Sequence, residues 1–177
     1  MPVLARMKMM IEEELYPPKG TAKGSPRSIL TYIGPDPGKL YPKTREFAKA
    51  VFNATDADIH EEIYDWGKGE KEKYRVRFYL LRDLDKFTYY FIRFDVKGEG
   101  TEKSGKGSVT IRPLLRTEYP QDTLWQRTIF YEMIRVFWHR LFYHNRRREY
   151  IWEGRNLLSM LQSQLRDYFK EIREEHG

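Results

Sequence analysis

The stretch KYRVRFYLLRDLDKFTYYFIRFDV, residues 73 to 96, alternates apolar and polar side chains on both sides of a short polar turn. Successive side chains of a β-strand point to opposite faces of the sheet, so this alternation predicts two antiparallel strands. Asp83 and Asp85 flank the turn, where aspartate is favoured because its side chain bonds the nearby backbone. The apolar face is predicted to carry Tyr74, Val76, Phe78, Leu80, Tyr90, Ile92, Phe94 and Val96.

The next stretch, GEGTEKSGKGSVT at residues 98 to 110, is similar to a phosphate-binding loop but departs from it at the decisive position. Such a loop needs serine or threonine after its Gly-Lys pair and a helix after that. Here Gly107 follows Lys106, and Val109 and Ile111 continue a strand alternation. We therefore predict a hairpin loop and antiparallel strands over residues 72 to 118. Pro113 has no N–H to donate, which places the third strand at a sheet edge or gives it a bulge.

The segments before the sheet are predicted from turn-forming residues and helix-capping signals. Residues 1–43 are rich in proline, glycine and serine, and we expect a loop-rich part with a short strand at 29–33. The first 15 residues fit both a helical stripe and a strand alternation, and the alternation is favoured. Thr44 and the Thr55/Asp58 pair are helix-capping signals, so helices are predicted over 44–67.

Residues 123 to 174 are predicted to form two long helices, although a single bent helix would give the same pattern. The first, at 124–143, is apolar around most of its circumference, and only Thr128, Glu132, Arg135 and His139 form a polar stripe. We expect it to be a buried core helix, with a dimer interface as the alternative. The chain is then one α+β domain over 1–177, in which C-terminal helices pack on one face of an antiparallel sheet of three to five strands.

Composition excludes several kinds of function. The chain has no cysteine, which removes disulfides, thiolate metal sites and cysteine nucleophiles. Charged residues interrupt the N-terminal apolar residues before a signal sequence or membrane span could form, so a cytoplasmic location and no transmembrane segment are expected. The charged fraction of 33% is typical of thermophile proteins. The net charge of +6 favours anionic partners without specifying one.

No catalytic or metal-binding motif is present in the sequence. His139 and His144 are five residues apart, so on one helix they point about 140° from each other and could not share a metal ion. There is no Gly-x-Ser-x-Gly elbow and no regular series of acidic calcium ligands. We expect a non-catalytic protein without a cofactor or a metal.

The leading functional hypothesis is a binding module for an anionic partner, with RNA or single-stranded nucleic acid as the expected class. One row of the last helix is basic, and a basic junction precedes it, so the two could follow a phosphate backbone. The same residues would otherwise form a solvated, ion-paired helix face. The candidate residues are Arg140, Arg146, Arg147, Arg148, Arg155, Arg166 and Arg173, with Lys103 and Lys106 from the hairpin loop.

Two alternatives remain at this point. The order of short N-terminal elements, a hairpin-rich sheet and a long C-terminal helix resembles the layout of helix-grip domains. That resemblance implies a cup for an apolar small molecule between the sheet and the helix at 124–143, with Phe78, Phe94 and Phe137 as lining residues. The other alternative is an assembly protein that forms a homodimer through the aromatic helix 124–143.

Overall fold

The computed structural model of this chain describes residues 10–16, 27–67, 69, 71–119 and 123–175. The fold is α+β, and its sheet has six strands rather than the three to five expected from the sequence. The strands are β1 (Met10–Glu14), β2 (Ser28–Gly34), β3 (Ile59–Gly67), β4 (Glu72–Asp83), β5 (Thr88–Gly100) and β6 (Gly105–Glu118). The α-helices are α1 (Leu40–Phe52), α2 (Ile129–Trp138) and α3 (His144–Glu175).

The sheet is antiparallel, and its centre is the pair of hairpins predicted from the alternating residues. β3, β4, β5 and β6 are adjacent in chain order, and both N-terminal strands pair with the free side of β6. β2 pairs with residues 105–111 of β6 and β1 with residues 114–118. The strand expected at 29–33 is confirmed as part of β2. β1 confirms the strand assignment for residues 10–14, while residues 1–9 lie outside the described part of the chain.

Pro113 lies inside the sheet, in β6, and not at an edge or a bulge as its missing N–H suggested. Its position falls between the last residue paired with β2, Ile111, and the first paired with β1, Leu114. The Pro113 carbonyl faces this junction and accepts from the Leu15 amide at 3.3 Å. In an antiparallel strand the N–H and C=O of one residue point to the same side, so the missing donor costs no ladder hydrogen bond.

The glycines of residues 98–107 are explained by packing on the face of the sheet that the helices cover. A side chain at Gly98 would collide with the Tyr74 ring, and one at Gly107 would collide with Leu40 at the start of α1. The loop between β5 and β6 closes with the Thr101 amide donating to the Ser104 carbonyl at 2.8 Å. The hairpin prediction is confirmed. The glycines allow the Tyr74 ring and the start of α1 to lie close to the strand backbone.

The core lies between one face of the sheet and the helices α1 and α3. The predicted apolar face of β4 and β5 is buried there, and Phe78 and Phe94 stack with ring centroids 4.7 Å apart. The buried side of α3 meets it through Leu158, Leu161, Leu165, Phe169 and Ile172. Burying such an apolar area is the main favourable contribution to folding.

Two predictions about helices need correction. The helix predicted to continue to residue 67 is wrong, because residues 59–67 form strand β3. The Thr55/Asp58 capping box is present, but it begins only a single 3-10 turn, after which the chain pairs with β4. Thr44 lies inside α1 and donates to the Leu40 carbonyl at 2.6 Å instead of capping the helix.

The C-terminal third is one continuous helical segment from Ile129 to Glu175, and not two separate helices. A π-helical turn at His139–Tyr143 joins α2 to α3. Thr123 and Gln126 form a capping box, but it precedes a 3-10 turn, and α2 itself is capped by Thr128. Turns of π-helix insert one extra residue and rotate the following side chains, so they often occur where function depends on that rotation.

Candidate functional site

The helix α2 packs on the protein through its polar stripe and not through its apolar residues. Arg135 is only 5% exposed, pairs with Glu132, and holds its guanidinium 5.6 Å from the centre of the Tyr119 ring. His139 shares a 2.7 Å hydrogen bond with the Tyr119 hydroxyl. The prediction that this helix is buried in the core is therefore wrong, because its polar side, and not its apolar side, contacts the rest of the protein.

The apolar side of α2 faces outward. Ile129 is 81% exposed and Phe137 is 64% exposed, and on the first turns of α3 Trp152 is 70% exposed. We call this set the aromatic surface: Leu124, Trp125, Ile129, Phe130, Met133, Ile134, Val136, Phe137, Trp138, Leu141, Phe142 and Trp152. At about 100° per residue, its members on α2 and the π-turn cover roughly two thirds of the helix circumference.

Such a surface is larger than folded monomers ordinarily leave open. Six of its aromatic side chains are more than half exposed, and each presents about 100 Å² of ring surface. The rings alone then expose about 600 Å², which is the upper end for the largest apolar patch on a typical monomer. The aliphatic members of the aromatic surface add to that area.

A polar network holds the π-turn and the start of α3 against the turn between β4 and β5. The Asp85 carboxylate accepts from the Tyr143 hydroxyl at 2.7 Å and the Tyr150 hydroxyl at 3.0 Å. It also accepts from the backbone amides of Phe87 and Thr88. Burial alone would raise the pKa of Asp85, but these hydrogen bonds outweigh it and hold the pKa below its usual value. Asp85 therefore also holds in place the π-turn that follows the C-terminal end of α2.

Replacing Asp85 with asparagine is expected to lower the free energy of unfolding by about 1–3 kcal/mol at neutral pH, because several donors lose a charged acceptor. The folded-state pKa of Asp85 is depressed, so its contribution is complete above the unfolded value of about 3.9 and is lost as the pH falls through the folded value. Urea unfolding of both proteins at pH 7 and about pH 3 would measure this. A difference that does not shrink in acid would contradict the role assigned to the carboxylate.

The partly buried His139–Tyr119 pair lies beside a small cavity of about 230 Å³. Burial lowers the pKa of His139, and the nearby guanidinium of Arg147 lowers it further, so the imidazole is neutral at pH 7. Burial raises the pKa of Tyr119, so its hydroxyl stays protonated. The described residues contain no group of three or more histidine, aspartate or glutamate side chains that could hold a metal ion. The pair therefore positions α2 through a neutral hydrogen bond.

The arginine row of α3 is divided between two roles. The Arg155 guanidinium donates to the Leu15 carbonyl at 2.7 Å, and Arg173 donates to the Ile33 carbonyl at 3.0 Å. These two hydrogen bonds connect α3 to the residue that follows β1 and to strand β2. Arg148 and Arg166 are exposed on the same helix. The row does not present four equivalent free cations.

The basic junction is also divided. Arg147 is buried, and its guanidinium donates to the Thr117 hydroxyl and pairs with Glu13 at 3.3 Å. Arg146 donates to the Tyr150 hydroxyl at 3.1 Å, while Arg140 is exposed beside the aromatic surface. Lys103 is exposed in the β5–β6 loop, and Lys106 is the second residue of strand β6, which follows that loop.

The three phenylalanines proposed to line an apolar cup are not brought together. Phe78 and Phe94 are fully buried and stacked on each other in the core. Phe137 belongs to the aromatic surface and points outward from α2.

Except for Lys106, the basic residues on the uncovered face of the sheet were not predicted as candidates from the sequence. That face carries the polar members of the alternation in β4, β5 and β6, because α1 and α3 cover the opposite face. The signal was present in residues 73–97, where arginine and lysine occupy alternate positions. The cations on the described strands β4, β5 and β6 of this face are Lys73, Arg75, Arg77, Arg93, Lys97, Lys106, Arg112 and Arg116, of which Arg116 pairs with Glu12 at 2.7 Å.

Comparison with protein-family models, curated proteins and solved structures gives no match to this chain. Within the part of the chain that the structure describes, no helix is both long enough and apolar enough to span a membrane.

Proposed function

We propose that this protein is a non-catalytic assembly module that pairs with a second copy of itself through the aromatic surface. The observation that carries the proposal is the inverted packing of α2, whose polar stripe contacts the protein while its apolar side faces outward. Exposed apolar surface is unfavourable in water, and covering it is the usual source of association free energy.

The exposed area is sufficient for a stable dimer. Two copies that cover their half-exposed rings would bury about 1,200 Å², and the aliphatic side chains bring the total into the range of specific interfaces. The rings are also the residue types that contribute most to binding at the centre of interfaces.

The composition of the surface favours a second copy over other occupants. Between Ile129 and Tyr143 the only exposed charged side chain is Arg140, and the other exposed side chains are apolar. A two-fold interface places the same patch on both sides, so a patch that is apolar along its whole length is complementary to itself. In an antiparallel pairing centred on Phe137, Met133 of one copy lies at the level of Leu141 of the other, and both positions are apolar.

A membrane surface fits the helix less well. An interfacial helix keeps its polar side in water and embeds one apolar side. In α2 the polar side is already covered by the protein, and the apolar arc is wider than half the circumference. A partner that contacts this helix from more than one side covers that arc more completely.

Sedimentation velocity of the purified chain tests the proposal. We expect a species of twice the 21.4 kDa chain mass, and we expect it to persist as the salt concentration is raised, because apolar association is not screened by salt. A monomer at every accessible concentration would contradict the proposal. So would a monomer that floats with anionic lipid vesicles, since that result would assign the aromatic surface to a bilayer.

A further inference from the structure

The uncovered face of the sheet places like charges directly opposite each other on neighbouring strands. Arg75 on β4 is paired in register with Lys97 on β5, and Arg93 on β5 is paired with Arg112 on β6. Like charges at directly opposed positions of a sheet destabilise it. An anion bound between them would remove that repulsion.

The carboxylates on this face do not neutralise all of these cations. Asp95 accepts from Arg75 at 3.1 Å and from Arg77 at 3.0 Å, and Lys97 is 4.0 Å away. One carboxylate thus serves three positive groups. Glu62 pairs with Arg93 at 3.0 Å, and Glu99 lies 4.0 Å from Lys106. With Asp65 at the edge, the described residues of this face between the β5–β6 loop and Arg112 place four carboxylates against seven cations, and Arg116 with its partner Glu12 lies beyond them.

At the β5–β6 loop end, this face forms an open groove of about 760 Å³ that crosses several strands. Among the residues that the structure describes, its charged lining residues are Lys73, Arg75, Lys97, Lys106, Asp65 and Glu99, so these cations outnumber these carboxylates by two. The groove is continuous with the arginines farther along β4 and β5, because residues two apart on a strand lie about 6.6 Å apart on one face.

We propose that this groove binds the phosphate backbone of a single-stranded nucleic acid. Arginine and lysine side chains bind phosphate oxygens through charge-assisted hydrogen bonds, and several in a line make binding to a polyanion strong and salt-dependent. The groove is open, so a strand can pass through it. Proteins that bind single strands without sequence preference use positively charged grooves of this kind to follow the backbone.

This site is independent of the proposed dimer. The groove lies at the loop between β5 and β6, whereas α2 contacts Tyr119, just beyond the other end of β6. A dimer formed through the aromatic surface would leave a groove on each copy. Two grooves engaging one strand would bind more tightly than one, because the second contact is intramolecular.

Fluorescence anisotropy of a labelled, short, mixed-sequence single-stranded RNA, titrated with the protein at about 50 and about 200 mM salt, tests the site. The groove variant carries Lys73→Gln and Lys97→Gln. The matched control carries Arg148→Gln and Arg166→Gln, which remove the same charge from the exposed part of the helix row. Both are compared in the whole chain, and circular dichroism checks that each remains folded.

We expect the groove variant to bind at least about tenfold more weakly than the unchanged protein. Its slope of log affinity against log salt should be smaller by about 1.4, the value for two lost phosphate contacts on a single strand. The control should stay within about twofold of the unchanged protein. Equal weakening by both variants would show attraction to net charge alone and would overturn the site, as would an absence of binding at low salt.

Competition identifies the ligand class. Unlabelled single-stranded DNA should displace the RNA, while polyglutamate at the same charge concentration should not. Displacement by polyglutamate as effective as that by DNA would assign the groove to acidic peptides and overturn the proposal. Repeating the titration with a monomeric Phe137→Glu variant separates this result from the dimer, because one groove binds with or without pairing.

Discussion

Replacing Phe137 with glutamate is expected to convert the dimer into a monomer. Phe137 lies near the middle of the aromatic surface, so in a two-fold pairing each copy would bring a carboxylate into the apolar contact. Burying an unpaired charge costs several kcal/mol, and removing a central aromatic ring from an interface commonly costs 2 kcal/mol or more. The dissociation constant should therefore rise by at least about 100-fold. Sedimentation velocity over a range of protein concentrations would measure it.

The matched control for this change is Ile29→Glu. Ile29 is a half-exposed apolar residue on the β2 strand, away from α2, and it receives the same charged side chain. We expect Ile29→Glu to remain dimeric, and both proteins to give the circular dichroism of a folded α+β chain. A dimer that survives Phe137→Glu, or one that is lost equally with Ile29→Glu, would exclude the aromatic surface as the interface.

Replacing Phe94 with alanine is expected to lower the free energy of unfolding by about 3–5 kcal/mol. The Phe94 ring is fully buried and stacks on Phe78, so its removal loses transfer free energy and leaves a cavity that the surrounding strands cannot close. Chemical denaturation in the Phe137→Glu background measures this without a contribution from association. A loss of this size is a large fraction of the stability of an ordinary domain.

The control for this prediction is Phe130→Ala in the same background. Phe130 is more than half exposed on α2, so the same truncation should change the free energy of unfolding by less than about 1 kcal/mol. Equal effects at the two positions would mean that α2 is packed in the folded chain. A small effect at Phe94 would mean that the space between sheet and helices tolerates a void, as the apolar cup hypothesis requires.

The central part of the fold could be predicted from the sequence. The alternation of residues 73–96 predicted β4, β5 and their shared apolar face, because a strand with one buried side must alternate with period two. The departure of Gly107 from the phosphate-loop pattern predicted a hairpin, and β6 follows it directly. Strand β3 was missed because its pairing depends on β4, a partner that local capping signals do not reveal.

The candidate sites were predicted less completely. The sequence selected Arg155 and Arg173 as free cations, but both donate to backbone carbonyls of strands about 140 residues away in the chain. The spacing of residues along a helix does not reveal such contacts between distant parts of the chain. The basic sheet face was visible in the alternation, yet its like-charge pairs appeared only when the register of β4, β5 and β6 was known.

By itself the sequence determined the α+β class, the central hairpins, the absence of thiol chemistry and the presence of an unusually apolar helix, since these depend on local periodicity and composition. The tertiary structure alone decided which side of that helix meets the protein. The Tyr119 hydroxyl shares a hydrogen bond with His139, and the Tyr119 ring lies against the Arg135 guanidinium. Asp85 accepts a hydrogen bond from Tyr143. The polar side of the helix therefore packs inward. The hydrophobic effect favours covering the aromatic side of this helix. Whether the same chain or a second molecule covers it depends on which groups the folded protein places beside the helix.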